Sequence, residues 1–177
     1  MKPYSKYHRN IKNEIEKISK DPKVLFIGQQ CVSENFYNFL ENISLDKRQE
    51  MGVCEELQLG LSVGLALEGY LPISIFQRMD FLPRAADQLI NHLDLIIEHS
   101  RGLYNPKVII FTTVGNCKAN VGIQHCKNLI KGFRLLCNNI PIYDLKNIND
   151  VNKYFKLAIK SENSSILVAR QDLFYGD

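Results

Sequence analysis

The chain has 177 residues, 45% of them hydrophobic and 23% charged, with 22 Lys+Arg against 19 Asp+Glu and a net charge of +3. That size suits one domain with its own core, and the balance excludes a disordered, collagen-like or low-complexity chain. No apolar run approaches the ~20 residues of a membrane span, and the positive charge is too mild to argue for nucleic acid.

The first twenty residues read as an amphipathic helix. Ile11, Ile15 and Ile18 recur at helical spacing, with Lys2, Lys6, Lys12, Lys17 and Lys20 around them. The basic face is either solvated or set against an acidic partner. The start carries charge with no apolar run behind it, so no secretory signal is expected. Asp21-Pro22 ends the helix, and Lys23 to Ile27 is a short apolar run closed by Gly28, a buried strand.

Helix then alternates with strand. Helices are expected over Ser33–Leu40, Glu55–Glu68, Leu82–Glu98, His125–Cys137 and Asp150–Ile159. Strands are expected at Leu71–Phe76, Val108–Thr112, Ile140–Tyr143 and Ser165–Ala169. Continuous apolar strands joined by helical crossovers mean a doubly covered parallel sheet. The expected fold is therefore α/β, one domain over residues 1–177, with a mostly parallel sheet of about six strands and helices on both faces. Ligands of such sheets sit past the carboxyl ends of the strands. That directs attention to the loops at Gly28–Cys31, Gln77–Asp80 and Thr112–His125.

The chain has no G-x-G-x-x-G after a strand, no P-loop and no G-x-S-x-G elbow. His8, His92, His99 and His125 lack metal-ligand spacing. The five cysteines, Cys31, Cys54, Cys117, Cys126 and Cys137, are odd in number and contain no C-x-x-C pair. They make a poor disulfide framework, and reduced thiols in the cytoplasm are the expectation.

The informative stretch runs from Gly52 to Ile73. Glu55 and Glu56 open a helix that carries Gly60 and Gly64 one turn apart and is apolar nearly all round, so burial on every side is expected. Taken alone, the two acids suit any helix amino terminus, where the macrodipole favours them. Two further blocks follow: Phe76-Gln-Arg-Met-Asp-Phe-Leu-Pro-Arg-Ala-Ala-Asp-Gln88, and Gly122-Ile-Gln-His-Cys126.

These three blocks, in order, resemble the pyrimidine-binding domain of thiamine-diphosphate enzymes of the transketolase and 2-oxoacid dehydrogenase type. The beta subunits of pyruvate and branched-chain dehydrogenases look most similar. Cys54-Glu55, Gly60, Gly64, Ala66-Leu-Glu-Gly69 and Pro72 fit the family register, which makes Glu55 rather than Glu56 the family glutamate. The resemblance implies that Glu55 faces a ring nitrogen of the cofactor's aminopyrimidine and favours its imino tautomer, the base that removes the thiazolium proton. It implies that Phe81 lies against the pyrimidine face, that Gln77 lines the same pocket, and that Val53 touches the ring beside Glu55. It also implies that His125 contacts substrate. Outside the family register, Phe81 reads equally well as core and His125 as an exposed loop residue.

Three departures stand out. Gln29 replaces an acidic residue after the first strand, the loop Val114–Gly122 is altered, and Cys126 stands where the family has Ser. The family's second domain and its Gly-Asp-Gly metal-diphosphate motif have no counterpart in the chain. By resemblance, Mg2+ and the diphosphate are then held by an alpha-type partner, in a heterotetramer or around a self-associated dimer. The expected function is the pyrimidine-binding subunit of a split enzyme acting on a 2-oxo acid or ketose, with transfer of a two-carbon or acyl unit. The alternative is a non-catalytic assembly or regulatory module that keeps the fold.

Overall fold

Six short strands line up in the order β2-β1-β3-β4-β6-β5, all parallel, in a computed structural model that describes residues 3–115 and 122–176. They are β1 (Val24–Gly28), β2 (Arg48–Glu50), β3 (Leu71–Phe76), β4 (Ile109–Val114), β5 (Ile142–Leu145) and β6 (Ser165–Arg170). Successive side chains of a strand point to opposite faces. Ile109, Phe111, Leu167 and Ala169 therefore enter one core, while Ile110, Ile166 and Val168 enter another.

Helices close both cores. The first lies under α1 (Lys6–Ile18) and α6 (Ile148–Lys160), which pack on each other. Each has a side-chain cap. Ser5 accepts from the His8 amide, and Asn147 accepts from the Asp150 amide, so an orphan donor is satisfied at each start. The second core lies under α3 (Glu55–Leu67), the segment from Met79 to Leu93, and α5 (Ile130–Leu136). The expected doubly covered parallel sheet is the observed one.

Several elements differ from expectation, each for a physical reason. Over Ser33–Leu40 there is no ordinary helix. In its place, α2 (Asn35–Asn38) is a left-handed turn, with φ of 52° at Asn35, 40° at Phe36, 53° at Tyr37 and 64° at Asn38. Asn tolerates this region, but Phe and Tyr are strained in it. Tertiary contacts hold the strain: Phe36 is fully buried, Arg48 Nη1 donates to Asn35 Oδ1 at 2.6 Å, and His8 Nε2 lies 2.7 Å from the Tyr37 carbonyl. Strand β2 was not expected. It is an edge strand of three polar residues with no apolar signal to reveal it. The expected helix Leu82–Glu98 is broken into a tight turn over Met79–Ala85 containing Pro83, a wider turn over Gln88–Leu93, and α4 (Ile96–His99). His125 belongs to a short turn, Ile123–His125, ahead of α5 rather than to a continuous helix.

The thiols also differ in part from expectation. Cys31, Cys54 and Cys137 are free, but Cys126 is disulfide-bonded. The altered loop between Gly115 and Gly122 lies outside the described residues.

Candidate active site

Strand order places the site. From β1 the chain steps outward to β2, then returns across β1 to β3 on its other side. The loops leaving β1 and β3 diverge there and open a crevice at the carboxyl edge of the sheet. At the end of β1 only glycine fits. Gly28 has φ +155°, and a Cβ would strike the Ile75 carbonyl oxygen of β3. The loop that follows is fixed by Glu50 of β2, whose carboxylate accepts from the amides of Gln30 and Val32 at 2.6 Å and Ser33 at 3.1 Å. Those bonds hold its carboxyl below the usual range against the opposing effect of burial.

The crevice is a cleft of about 500 Å³. Gln29 and Gln30 enter it from the loop after β1, and Gln77 and Arg78 from the loop after β3. Phe81 and His125 form one wall, with ring centroids 5.5 Å apart in an edge-on arrangement. Arg78 Nη1 donates to the His125 carbonyl at 2.8 Å, which ties the histidine loop to the end of β3. The opposite wall is the strained turn, presenting Tyr37 and Asn38. Beneath it, buried Gln171 donates from Nε2 to the Tyr37 hydroxyl at 2.6 Å and to Thr113, which in turn donates to the Gln77 carbonyl. Burial raises the Tyr37 phenol above its ordinary range. Two buried polar atoms at this edge have no protein partner, His125 Nδ1 and Asp80 Oδ2.

The structure thus brings Gln77, Phe81 and His125 to one cleft. Glu55, expected to face the same pocket, is not among the residues that line it. Its side chain is only 4% exposed at the first position of α3, and its Oε2 lies 3.2 Å from Nε of Arg84, itself 72% exposed. The helix amino terminus supplies further positive potential. Arg84 sits three residues beyond Phe81, so one tight turn carries both the aromatic ring of the cleft and the partner of Glu55. Val53 projects into solvent at 77% exposure and meets neither.

The helix behind Glu55 is not buried all round. Its polar residues point inward. Gln58 Nε2 donates to the Ile75 carbonyl at 2.8 Å, and Ser62 donates to the Gln58 carbonyl at 2.8 Å. Leu57 is 59% exposed and Leu61 39%, and Gly64 is exposed on the same side. Among the described residues, no group of three or more His, Cys, Asp or Glu side chains could hold a metal ion.

Sequence reasoning missed Arg84, Arg78, Tyr37 and Asn38. The two arginines lie inside the block already singled out, where a charged side chain next to a buried Glu was a usable signal. The two turn residues lie in a segment misread as helix, and nothing local marks them.

A cleft at the switch point of a parallel sheet is the general ligand site of an open α/β fold, and the solved structures it resembles give this chain the fold of thiamine-diphosphate enzymes. Comparison with known proteins bears this out. No family model matches. The chain is similar to human mitochondrial pyruvate dehydrogenase E1 component subunit beta, 28% identical over 171 residues, covering 91% of this chain and 45% of that protein. The subunit from Ascaris suum is 24% identical over 169 residues, with the same coverage. The chain spans about half the length of these relatives. Among solved structures it resembles a split gene transketolase, described as an inactive beta4 tetramer, with TM-score 0.70, 16% identity, and coverage of 92% of this chain and 50% of that one. It also resembles the thiamine diphosphate-dependent 4-hydroxybenzoylformate decarboxylase of Rhodococcus jostii RHA1, with TM-score 0.66, 13% identity, and coverage of 94% and 31%. The relatives carry mitochondrial names and so lend no support to a cytoplasmic location.

Proposed function

We propose that this chain is the pyrimidine-binding, beta-like subunit of a split thiamine-diphosphate enzyme of the transketolase or 2-oxoacid dehydrogenase type. Its catalytic centre would be completed by an alpha-type subunit that holds the diphosphate and Mg2+. The observation that supports the reading most strongly is the carboxylate of Glu55, shielded from water and paired to Arg84, which follows the cleft residue Phe81 by three positions on one tight turn. A buried carboxylate with so few donors is costly unless another group binds it. A ring nitrogen carrying a proton is such a group, and the residues present fit the pyrimidine end of the cofactor in that respect. When bound, the cofactor supplies the carbon nucleophile and electron sink of the reaction. Glu55 holds and returns one proton at the ring nitrogen. Phe81 offers an apolar face that excludes water, and His125, in the cleft wall, would hold or move a proton at the substrate. The exposed leucines of α3 are of the kind a second subunit covers.

The test is Glu55→Gln in the complex reconstituted with a diphosphate-binding subunit. The amide keeps the size and one acceptor but cannot share the proton. Turnover is expected to fall by about a hundredfold or more, with assembly unchanged by sedimentation. Unimpaired turnover rules the reading out. The alternative, a non-catalytic module, draws on the Arg84–Glu55 ion pair, which already neutralises the carboxylate. On that reading, Glu55→Gln leaves every property of the complex intact.

A further inference from the structure

A second depression lies at the amino edge of the sheet, opposite the cleft. It is a groove of about 680 Å³ between α1 and α6, over the first residues of β1 and β3. Its floor is apolar. Val24 and Leu71 face each other in register at the start of the two strands, and Ile18 and Ile159 come from the last turns of the two helices. Ile18 and Val24 are buried, while Ile159 is 38% exposed. Lys17 stands on the α1 rim, and Lys156 and Lys160, one helical turn apart, on the α6 rim.

The charge on this rim is only partly used within the protein. Lys17 Nζ lies 2.5 Å from Glu14, so those two cancel. A helix carboxyl end attracts cations, but other lysines already serve these two ends. Lys47 donates to the Ser19 and Asp21 carbonyls at 2.6 Å, and Lys107 to the Ile159 carbonyl at 2.6 Å. The amines of Lys156 and Lys160 have no partner among the described residues. The remaining acid of the lining, Asp21, accepts from the Lys23 amide at 2.9 Å. Two free amines against one carboxylate leave the groove net positive. The basic face that the sequence places on α1 is thus partly paired, Lys12 with Glu41 and Lys17 with Glu14, and free charge sits across the groove on α6.

The shape of the floor decides between occupants. A docked helix needs apolar anchors in a row, at i, i+4 and i+7. Here the apolar side chains form one patch, and the rest of the lining is polar, with Asn10, Asn13 and Asn152. One apolar body fits such a patch. A bare anion would meet only solvated amines, which are worth little. A bare hydrocarbon would gain the patch and leave both amines unpaired. A molecule that combines the two uses both features.

We propose that the groove between α1 and α6 binds a small amphipathic anion, a monocarboxylate with an alkyl or aryl body. The body covers the patch of Ile18, Val24, Leu71 and Ile159, and the carboxylate meets Lys156 and Lys160. This site does not depend on the cofactor reading.

The test uses the full chain with carbon-13 in its Ile, Leu and Val methyl groups, and three probes: octanoate, octylammonium and acetate. Octanoate is expected to shift the methyl resonances of the patch with a dissociation constant on the order of 1 mM. Octylammonium has the same chain and the opposite charge, and acetate the same charge and no chain; each is expected to bind at least about tenfold more weakly. Lys156→Gln with Lys160→Gln, at two exposed and unpaired positions, is expected to weaken octanoate about tenfold and bring it level with octylammonium. Ile159→Ser, at the exposed lip of the floor, weakens it about fivefold. Equal responses to octanoate and octylammonium overturn the proposal. So does an octanoate response that survives the double substitution, or none at about tenfold excess over the expected constant. A patch that answers only to an acidic helical peptide belongs to a protein partner and overturns it as well.

Discussion

At the scale of single residues, two buried groups make opposite bargains with water. The Glu55 carboxylate is 4% exposed, and its partner is the 72% exposed guanidinium of Arg84. Arg84→Ala leaves that buried carboxylate without its cation and is expected to lower stability by about 1–3 kcal/mol in urea unfolding. His8 does the reverse. Its ring is stacked between Tyr4, at 3.8 Å, and Phe39, at 4.4 Å, with Nδ1 unpartnered, and burial lowers its pKa to about 4. The unfolded chain binds the proton near pH 6.5, and the folded chain only below about 4. The stability from keeping His8 neutral is therefore complete above pH 6.5 and is lost as pH falls through that window, by about 3 kcal/mol in all. Urea unfolding across this range checks it. His8→Gln, which cannot charge, is expected to start less stable at pH 7 and to lose this component of the slope.

At the scale of elements, legibility followed the hydrophobic signal. Strands β1, β3, β4 and β6 are apolar runs and stand where the sequence places them, because burial on both faces leaves no other composition for them. Segments that are shaped by tertiary contact gave no such signal. Asn35–Asn38 is left-handed because Phe36, Asn35 and the Tyr37 carbonyl are each held from elsewhere, and β2 is polar throughout. The Glu55 and Phe81 blocks could be read from the family pattern, and Arg84 lies inside the second, but its pairing with Glu55 and the place of Tyr37 in the cleft needed the fold. Helix α3 shows how a pattern misleads. Apolarity all round suggested burial on all sides, yet the sheet takes the Gln58 and Ser62 face and leaves Leu57 and Leu61 outside. Leu61→Glu is accordingly expected to change the stability of the isolated chain by less than about 0.5 kcal/mol and to prevent its co-sedimentation with a partner subunit. The opposite holds at Gly28, where a methyl group would strike the Ile75 carbonyl oxygen and the backbone of β3 would have to shift. Gly28→Ala is expected to cost about 3 kcal/mol or more, read as a lowered urea midpoint.

At the scale of the whole molecule, the proposed function asks this chain for the pyrimidine end of a cofactor site only. Phe81 and His125 meet at the carboxyl edge of β1 and β3, Glu55 is tied through Arg84 to the turn that carries Phe81, and the exposed side of α3 offers leucines in place of charge. Thiamine diphosphate carries most of its binding handles on the diphosphate. A chain that contributes one carboxylate and one ring face gains only about 2–3 kcal/mol from them, too little for binding at ordinary concentrations. Calorimetry of the isolated chain with thiamine diphosphate and Mg2+ is therefore expected to show no saturable heat, and the reconstituted complex to bind both. Tight binding by the chain alone would place the diphosphate on this polypeptide and remove the need for a partner. A complex that binds the cofactor equally well with Phe81→Ala and Glu55→Gln would place the pyrimidine elsewhere.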